Sequence, residues 1–231
     1  MKTTDEGILL HRISYSESSV IATFFTKKSG LKKFIFKGGK KKGPQLFPLS
    51  ISELTYYGRL DSELLNLTAA DPVLAQSFQF SPVRSAIAFF IAELLLKCIK
   101  HEEQDEAFYN FIYSTIVELD KAESISQLPV NLMIEILDFL GIKPLVEEET
   151  STVFNLTSGT IGNNTEFRAN TVDAPYVLEI SKKLQNPSIK LSLSSEGRSG
   201  IIETIIDYLK LHIPGFSGLE TYEIVKDVVR S

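Results

Sequence analysis

Eight lysines and not one acidic residue occur between positions 18 and 52 of this 231-residue chain. An ordinary solvated surface mixes both signs of charge, so a stretch of this kind is a local polycation. Such a stretch suits the binding of phosphate groups, because lysines that contact phosphates release the counterions held there. The lysines are Lys27, Lys28, Lys32, Lys33, Lys37, Lys40, Lys41 and Lys42.

Aromatic residues are interleaved with these lysines. Phe34 and Phe36 alternate with them, and Tyr56 and Tyr57 follow in the next apolar run. Aromatic rings stack on unpaired bases, with about 1 to 3 kcal/mol per base and little regard for sequence. The combination predicts binding of single-stranded nucleic acid. Two alternatives stay open: the phenylalanines can fill a barrel interior, and the lysines can merely solvate its outside.

The sequence shows no group of residues suited to metal binding or to nucleophilic catalysis. The three histidines, His11, His101 and His212, lie far apart, with no cysteine or carboxylate at motif spacing around them. Neither a metal site nor a catalytic triad is therefore predicted. Cys98 is the only cysteine, which excludes an intramolecular disulfide. It falls within an apolar helical stripe, so we expect a buried structural thiol.

Three further runs invite catalytic interpretations that their surroundings do not support. The sequence GGKKKGP at 38–44 resembles a phosphate-binding loop. Such a loop ends in Gly-Lys-Ser/Thr at a helix start, whereas a proline follows here, and we expect an open loop. The acidic runs at 102–103 and 147–149 are typical of solvated helix ends and loops. We expect a protein that is not an enzyme and has neither a cofactor nor a metal.

The lysines lie among short stretches that alternate between apolar and polar residues. Five strands are predicted, at 6–14, 20–26, 31–37, 50–57 and 63–69, separated by turn-forming residues at 27–30, 38–44 and 58–61. Five short strands in about seventy residues favour a small closed barrel, because closure hides the edges of so little sheet.

After Pro72 the apolar period changes from two to 3.6, which indicates a helical region. Helices are predicted at 82–100, 108–119 and 132–140, the last ended by Gly141, and together they predict a bundle. Residues 143–172, rich in Thr, Ser, Asn and Gly, interrupt this pattern. Helices return at 174–185 and 202–213, whereas 219–229 can be helical or extended.

Charge divides the chain in the same way. Residues 1–75 carry eleven Lys and Arg against seven Asp and Glu, a net charge of +4, which leaves −9 for the other 156 residues. We predict a basic barrel domain at 1–75 and an acidic helical domain at 76–231, with an insertion at about 143–172. The N-terminal residues lack the pattern of a signal peptide, and no long apolar run occurs, so we expect a cytoplasmic protein without a membrane partner.

The order of these features resembles the RecO family of bacterial recombination mediators. Residues 6–10 (EGILL) are similar to the opening strand of the family, and 15–19 (YSESS) to its first turn. Phe25-Thr26 with Gly30 resembles its second strand and hairpin. Lys37-Gly38 followed by three lysines resembles its basic loop. These motifs cover about the first forty-five residues, and beyond them the similarity lies in the order of elements.

The resemblance implies an α+β protein in which an N-terminal OB-fold barrel precedes an all-α bundle. Many members carry a four-cysteine zinc site within the helical domain, but this chain has no cysteine at 153–168. We expect a metal-free loop or small hairpin there.

The resemblance also implies DNA repair and recombination activities without catalysis. Members bind single- and double-stranded DNA, anneal strands coated with single-stranded DNA-binding protein, and act with RecR and RecF to load RecA, which implies association with the nucleoid. The implied DNA contacts are Lys37, Lys40, Lys41 and Lys42, with Lys27, Lys28, Lys32, Lys33 and Arg59 as neighbours. The acidic tail of single-stranded DNA-binding protein would need a cation beside an apolar slot. The candidates are Arg84, Lys97, Arg168, Lys182, Lys183 and Arg198.

Two other classes of function remain. The barrel can be a protein-binding adaptor whose lysines meet an acidic partner, in which case oligonucleotides should bind weakly and strand pairing should not accelerate. A hydrolase that uses the clustered carboxylates would instead show metal-dependent turnover.

Overall fold

The computed structural model describes residues 2–59, 62–99, 104–162 and 170–230, and the side chains of all these except 42–45 and 227–230. The first five strands close into a barrel. The order around the barrel is β1-β2-β3-β5-β4, with β4 also paired to β1. Only β3 and β5 run parallel. The strands are β1 (Lys2–Ser14), β2 (Val20–Thr26), β3 (Gly30–Phe36), β4 (Ile51–Tyr57) and β5 (Leu65–Pro72).

The barrel interior is filled by side chains at alternate strand positions. Phe24, Phe34 and Tyr56 are almost wholly buried, and the Phe34 ring lies 5.7 Å from that of Phe24 and 5.1 Å from that of Tyr56. Phe36 is buried as well. Three of the four aromatic residues considered for base stacking therefore belong to the core, where their burial favours folding. Of the two alternatives left open by the sequence, filling of the barrel interior therefore holds for Phe34, Phe36 and Tyr56, rather than stacking on bases.

A β-bulge interrupts the pairing of β1 with β2. Leu9 pairs with Phe24 and His11 with Thr23, so Leu10 is the extra residue. A bulge bends its strand and changes which side chains face outward. After the bulge, His11 and Ile13 are exposed on the outer face of the barrel.

Two helices, α1 (Pro82–Cys98) and α2 (Glu106–Lys121), belong with the barrel to one compact unit, Met1–Ala122. Ser81 caps α1 and Asp105 caps α2 by accepting backbone N–H groups of the first turn. The ring of Phe25, on the outer face of β2, lies 5.5 Å from that of Phe108 on α2. Cys98 is buried, as expected.

The second compact unit, Glu123–Ser231, contains α3 (Leu128–Phe139), α4 (Val177–Gln185), α5 (Ser195–His212) and α6 (Tyr222–Arg230). Gly141 follows α3 with φ of 69°. Its N–H donates to the carbonyl of Asp138, and that of Ile142 to the carbonyl of Leu137. This pair of bonds confirms the predicted C′ position of Gly141.

The segment predicted to be a loop or hairpin forms a small sheet instead. The strands β6 (Leu145–Val146), β7 (Val153–Asn155), β8 (Thr160–Ile161) and β9 (Thr171–Asp173) pair in the order β6-β8-β7-β9. Phe154 and Ile161 are buried and supply its apolar contacts. The helical region is therefore not all-α. The sequence did not reveal these strands because they are too short to show an alternating pattern.

The three helices predicted to form a bundle divide between the two compact units. α1 and α2 group with the barrel, whereas α3 packs on α4 and α5. A residue pattern of period 3.6 shows which face of a helix is apolar but not what covers it. The domain boundary predicted at 75/76 stays a prediction. No helix among the described residues is long and apolar enough to cross a membrane.

Candidate nucleic-acid interface

The basic segment, residues 37–42, leaves the end of β3 and enters a 3₁₀ helix, Gly39–Leu46, whereas the sequence predicts an open loop there. Gly38 adopts φ of 75°, a left-handed conformation that glycine adopts without strain. The N–H of Lys41 donates to the carbonyl of Gly38 at 3.2 Å. The short i→i+3 turns of a 3₁₀ helix need no apolar periodicity, so the sequence pattern did not reveal it.

Both ends of this 3₁₀ helix are held against the barrel. A Cβ atom at Gly39 would lie 2.7 Å from Cγ2 of Val20, so only glycine allows this close approach. At the other end, Leu46 is fully buried in the barrel core. Lys40 and Lys41 are exposed between these anchors, and Lys37 is exposed just before the first of them. The lysines are thus presented from a fixed backbone, which lowers the entropy lost when they bind a ligand.

The turn between β1 and β2 lies beside the basic segment. The N–H of Lys40 donates to the carbonyl of Ser18 at 3.3 Å. The turn is closed by the N–H of Tyr15, which donates to the carbonyl of Ser19 at 3.0 Å. The Tyr15 side chain is 61% exposed. An exposed ring therefore occurs on a turn that is hydrogen-bonded to the lysines, an arrangement suited to stacking on an unpaired base.

A groove of about 650 Å³ runs over the outer face of β1, β2 and β3. Ile13 and Ile21, directly opposite each other on β1 and β2, form its apolar floor. Lys33 on β3 lines the same groove and is exposed. Leu64, from the connection between β4 and β5, forms part of the wall. Glu63, the neighbour of Leu64, lines the groove as well, so the groove combines an apolar floor with one cation and one carboxylate. The apolar floor suits unpaired bases.

Lys32 differs from its neighbours. It lies opposite Phe24 on the inner side of the barrel and is only 8% exposed, whereas Lys33 points outward. Successive strand residues face opposite sides of a sheet, so the two adjacent lysines cannot both face a ligand. The expectation that Lys32 neighbours bound DNA thus conflicts with its burial.

Lys27 and Lys28 occupy the other end of the hairpin. The six-residue step from Gly30 to Phe36 corresponds to about 20 Å along β3, so these two lysines lie apart from the basic segment. Lys27 Nζ lies 3.6 Å from a carboxylate oxygen of Glu106. The N–H of Lys28 donates to the buried carboxylate of Asp5 at 3.2 Å. Acidic groups surround this end, which makes it less suited to phosphate.

Asp5 is itself perturbed by its position. Burial raises the pKa of its carboxyl above the ordinary value of 3.8, although the backbone N–H groups of Lys28 and Glu6 act in the opposite direction. Burial also raises the pKa of the Tyr109 hydroxyl, which donates to Glu6 at 3.2 Å. The Tyr109 shift belongs to the packing of α2 on the barrel, and the Asp5 shift belongs to the end of the barrel that carries Lys28.

Arg59 and Tyr57 lie where β4 leaves the barrel. Both are exposed, and Tyr57 is 44% exposed, so it is the one aromatic residue of the four that can still meet a base. The structure describes the backbone of Lys42 but not its side chain. Among the described residues, Lys33, Lys37, Lys40 and Lys41 form no ion pair with a carboxylate.

Sequence reasoning missed two members of this interface, Ile13 and Tyr15. Ile13 is 50% exposed although it belongs to a strand whose preceding residues are buried. The bulge at Leu10 reverses the alternation, and nothing in the residue types marks it. Tyr15 could have been noticed as an aromatic residue within the polar run YSESS.

Most of the cations of the helical region that were candidates for binding the acidic tail of single-stranded DNA-binding protein already contact other groups of the protein. Arg84 donates to the carbonyls of Leu119 and Ala122 at the end of α2. Lys97 pairs with Glu93 at 2.7 Å, and Lys182 with Glu179 at 2.6 Å. Lys183 and Arg198 are buried; the first pairs with Glu135 and the second donates to the carbonyl of Leu193. Arg168 lies outside the described residues.

The residues present do not fit the zinc site that many members of the resembled family carry. One cysteine cannot supply four thiolates. Among the described residues, no three histidine, cysteine, aspartate or glutamate side chains are grouped as a metal site requires.

Comparisons with known proteins agree over nearly the whole chain. The family described as "Recombination protein O N terminal" matches residues 1–75, and "Recombination protein O C terminal" matches residues 79–217. The DNA repair protein RecO of Flavobacterium psychrophilum is 26% identical over 243 aligned positions, covering 99% of each chain. The DNA repair protein RecO of Flavobacterium johnsoniae is 25% identical, covering 99% of each chain. That of Bacteroides fragilis is 22% identical, covering 96% of this chain and 97% of its own.

Proposed function

Because the chain belongs to the RecO family of DNA repair proteins, we propose that it binds DNA on the outer face of its barrel and anneals complementary strands. The observation that carries this proposal is the side-by-side arrangement of the basic segment, the Tyr15 turn and the apolar groove. Lys33, Lys37, Lys40 and Lys41 contact phosphates, with Lys42 and Arg59 nearby. Lys27 and Lys28 contribute less, because acidic groups surround them.

Annealing by such a face needs no bond to be broken. Two complementary strands repel each other through their phosphates, and a cationic surface that binds both lowers this repulsion. The backbones are held while the bases remain able to pair. The protein accordingly acts as a mediator without catalysis, and its DNA is both single- and double-stranded.

The partners follow from the family. We propose that the protein anneals strands coated with single-stranded DNA-binding protein and acts with RecR, and with RecF, in loading RecA. It would bind the acidic tail of single-stranded DNA-binding protein through the helical region. Lys97 and Lys182 are the partly exposed candidate cations there, and each already has a carboxylate neighbour. Association with the nucleoid stays a prediction.

A charge-reversal experiment tests the DNA-binding face. The variant Lys40→Glu/Lys41→Glu changes two anchored lysines, and Lys121→Glu/Lys190→Glu makes the same change of charge at two exposed lysines outside the barrel strands. Binding of a labelled single-stranded oligonucleotide is followed by fluorescence anisotropy over a range of salt concentrations. Each phosphate contact contributes about 0.7 to the slope of log K against log salt, so loss of two contacts should lower the slope by about 1.4.

The two variants separate a local site from general attraction. We expect the first variant to bind at least tenfold more weakly than the parent and the second to bind nearly as the parent does. Equal losses in both variants would mean that only net charge matters. Parent-like binding by the first variant would contradict the proposed face and favour the adaptor.

A further inference from the structure

A continuous row of outward-facing residues crosses all five barrel strands. Ile13 on β1 lies opposite Ile21 on β2, and Ile21 lies opposite Ile35 on β3. At the parallel contact, Ile35 lies opposite Asn66 on β5, and Asn66 lies opposite Tyr57 on β4. Residues that are directly opposite on neighbouring strands place their side chains on the same face of the sheet. These five residues therefore form one surface feature, the cross-barrel row.

The cross-barrel row is accessible along its length. Ile13 is 50% exposed and Tyr57 44%, Asn66 is exposed, and Ile21 and Ile35 are partly exposed. The residues that precede the members on β3, β4 and β5 are buried in the barrel core instead. Neighbouring strands lie about 4.8 Å apart, so the row is roughly 19 Å long. Single-strand sites on OB folds begin at about 4 nucleotides, and a segment of that size suits this length.

Each end of the row combines a surface for a base with a cation for a phosphate. One end is the apolar floor of the groove, which Lys33 also lines. The other end is the ring of Tyr57, which lies opposite the exposed Lys2 on β1 and two residues before the exposed Arg59. Among the described residues, neither Lys2 nor Arg59 pairs with a carboxylate. Both ends therefore offer what a single strand requires.

Carboxylates limit where a strand can lie beside the row. Glu53 precedes Tyr57 by four residues on β4, which corresponds to about 13 Å, and it lies between Glu6 and Asp71 of the neighbouring strands. These like charges repel phosphates. Glu63 lies nearer, in the wall of the groove, where Lys33 supplies the opposite charge. A strand bound to the barrel is thereby kept on the cross-barrel row.

We propose that the cross-barrel row holds one DNA strand lengthwise, with its bases passing from the groove over Asn66 to the Tyr57 ring. This inference rests on the proposed DNA-binding face and extends that face across the contact of β3 with β5. One base stacks on Tyr57, and Lys2 and Arg59 contact the neighbouring phosphates. The row takes unpaired bases, because the faces of paired bases are already stacked in a duplex. A strand extended in this way cannot fold back on itself, so its bases stay available to a complementary strand.

Two variants of the full chain test the far end and the middle of the row. Tyr57→Ala removes the ring, and its companion Tyr57→Phe keeps a ring that can stack. Asn66→Glu places a negative charge in the path, and Asn110→Glu makes the same change at an exposed asparagine of α2. Circular dichroism confirms that each variant is folded. Binding of labelled decathymidylate and of a ten-base-pair duplex is measured by fluorescence anisotropy.

The expected losses are confined to single strands. Tyr57→Ala should bind decathymidylate at least fivefold more weakly, which is the lower end of the effect of removing a stacking ring, whereas Tyr57→Phe should stay within twofold of the parent. Asn66→Glu should also lose at least fivefold, and Asn110→Glu should bind as the parent does. Duplex affinity should change less than twofold with Tyr57→Ala. Parent-like single-strand binding by either Tyr57→Ala or Asn66→Glu, or an equal loss for the duplex, would overturn the proposal.

Photochemical cross-linking tests the path of the strand directly. Decathymidylates with one 5-iodouracil, placed at each position in turn, are irradiated with the parent protein, and the linked peptides are identified by mass spectrometry. We expect the positions that link to Tyr57 and those that link to Tyr15 to be separated by several nucleotides, because the row lies between them. The same positions linking to both would overturn the lengthwise path. Links to Tyr15 without links to Tyr57 would overturn the row and leave the proposed DNA-binding face intact, whereas failure of the parent to bind DNA would overturn both.

Discussion

The backbone N–H of Lys40 donates a hydrogen bond to the carbonyl oxygen of Ser18, and this 3.3 Å contact joins the basic segment to the β1–β2 turn. The segment cannot move without disturbing the turn that carries Tyr15. Cations for phosphates and a ring for bases are thereby kept in one arrangement. The proposed contribution of these groups to DNA binding therefore depends on the backbone as much as on the charges.

Substitution of Gly39 should weaken DNA binding without removing any charge. The Cβ atom of Gly39→Ala would lie 2.7 Å from Cγ2 of Val20 and 3.2 Å from the Phe36 ring, so the segment must shift outward. Overpacking of this kind costs about 1 to 3 kcal/mol. We expect lower oligonucleotide affinity by anisotropy and a lower free energy of unfolding in urea. The double variant Val20→Ala/Gly39→Ala removes the clashing methyl group, and failure of this change to restore affinity beyond that of Gly39→Ala would contradict the steric explanation.

A charge placed on the apolar floor of the groove should distinguish single strands from duplex. Ile13 is 50% exposed, so Ile13→Asp should leave the unfolding midpoint nearly unchanged. Unpaired bases that pack on the floor would lose this contact and meet a negative charge, whereas the bases of a duplex are already stacked. We expect single-strand affinity to fall at least fivefold and duplex affinity to change less. Ile224→Asp, at a 66% exposed isoleucine of α6, is the matched control. Equal losses for both forms of DNA would place the bases elsewhere.

Asp5 should make stability depend on pH. Burial raises the pKa of its carboxyl above 3.8, so the folded protein binds this proton more tightly than the unfolded chain does. The stabilisation by this proton is fully present below 3.8 and is lost as the pH rises through the folded-state pKa. Asp5→Asn can still accept the N–H groups but does not titrate. Relative to this variant, the parent should lose stability in urea unfolding as the pH rises from about 3.8. Glu53→Gln controls for removal of an exposed carboxylate, and a parent that gains stability over this range would contradict the assignment.

Much of the fold could be predicted from residue patterns. Among the described residues, the five barrel strands and five of the six α-helices occur where periodicity placed them, although α5 begins at Ser195 rather than at 202. The Gly141 terminus was also predicted, because a left-handed C′ residue favours glycine. These features depend on local preferences, and local preferences are visible in the sequence.

The structure differs from the predictions where tertiary contacts determine the conformation of the chain. The bulge at Leu10 and the 3₁₀ helix at Gly39–Leu46 depend on how the chain packs against neighbouring strands and the core. The same alternation that predicts β3 does not say which face is inside, so Lys32 could not be told from Lys33. The basic segment follows the third strand, as the pattern indicates, and its role stays a prediction, whereas the groove and the Tyr15 turn required the register of three strands.

The central claim, that the basic face brings complementary strands together, is tested most directly by annealing. Two complementary labelled oligonucleotides coated with cognate single-stranded DNA-binding protein are mixed with the parent, with Lys40→Glu/Lys41→Glu, or with Lys121→Glu/Lys190→Glu, and duplex formation is followed by fluorescence. We expect the parent and the second variant to accelerate annealing at low salt, the acceleration to fade as salt rises, and the first variant to lose most of it. Absence of acceleration by the folded parent, or full acceleration by Lys40→Glu/Lys41→Glu, would contradict the account.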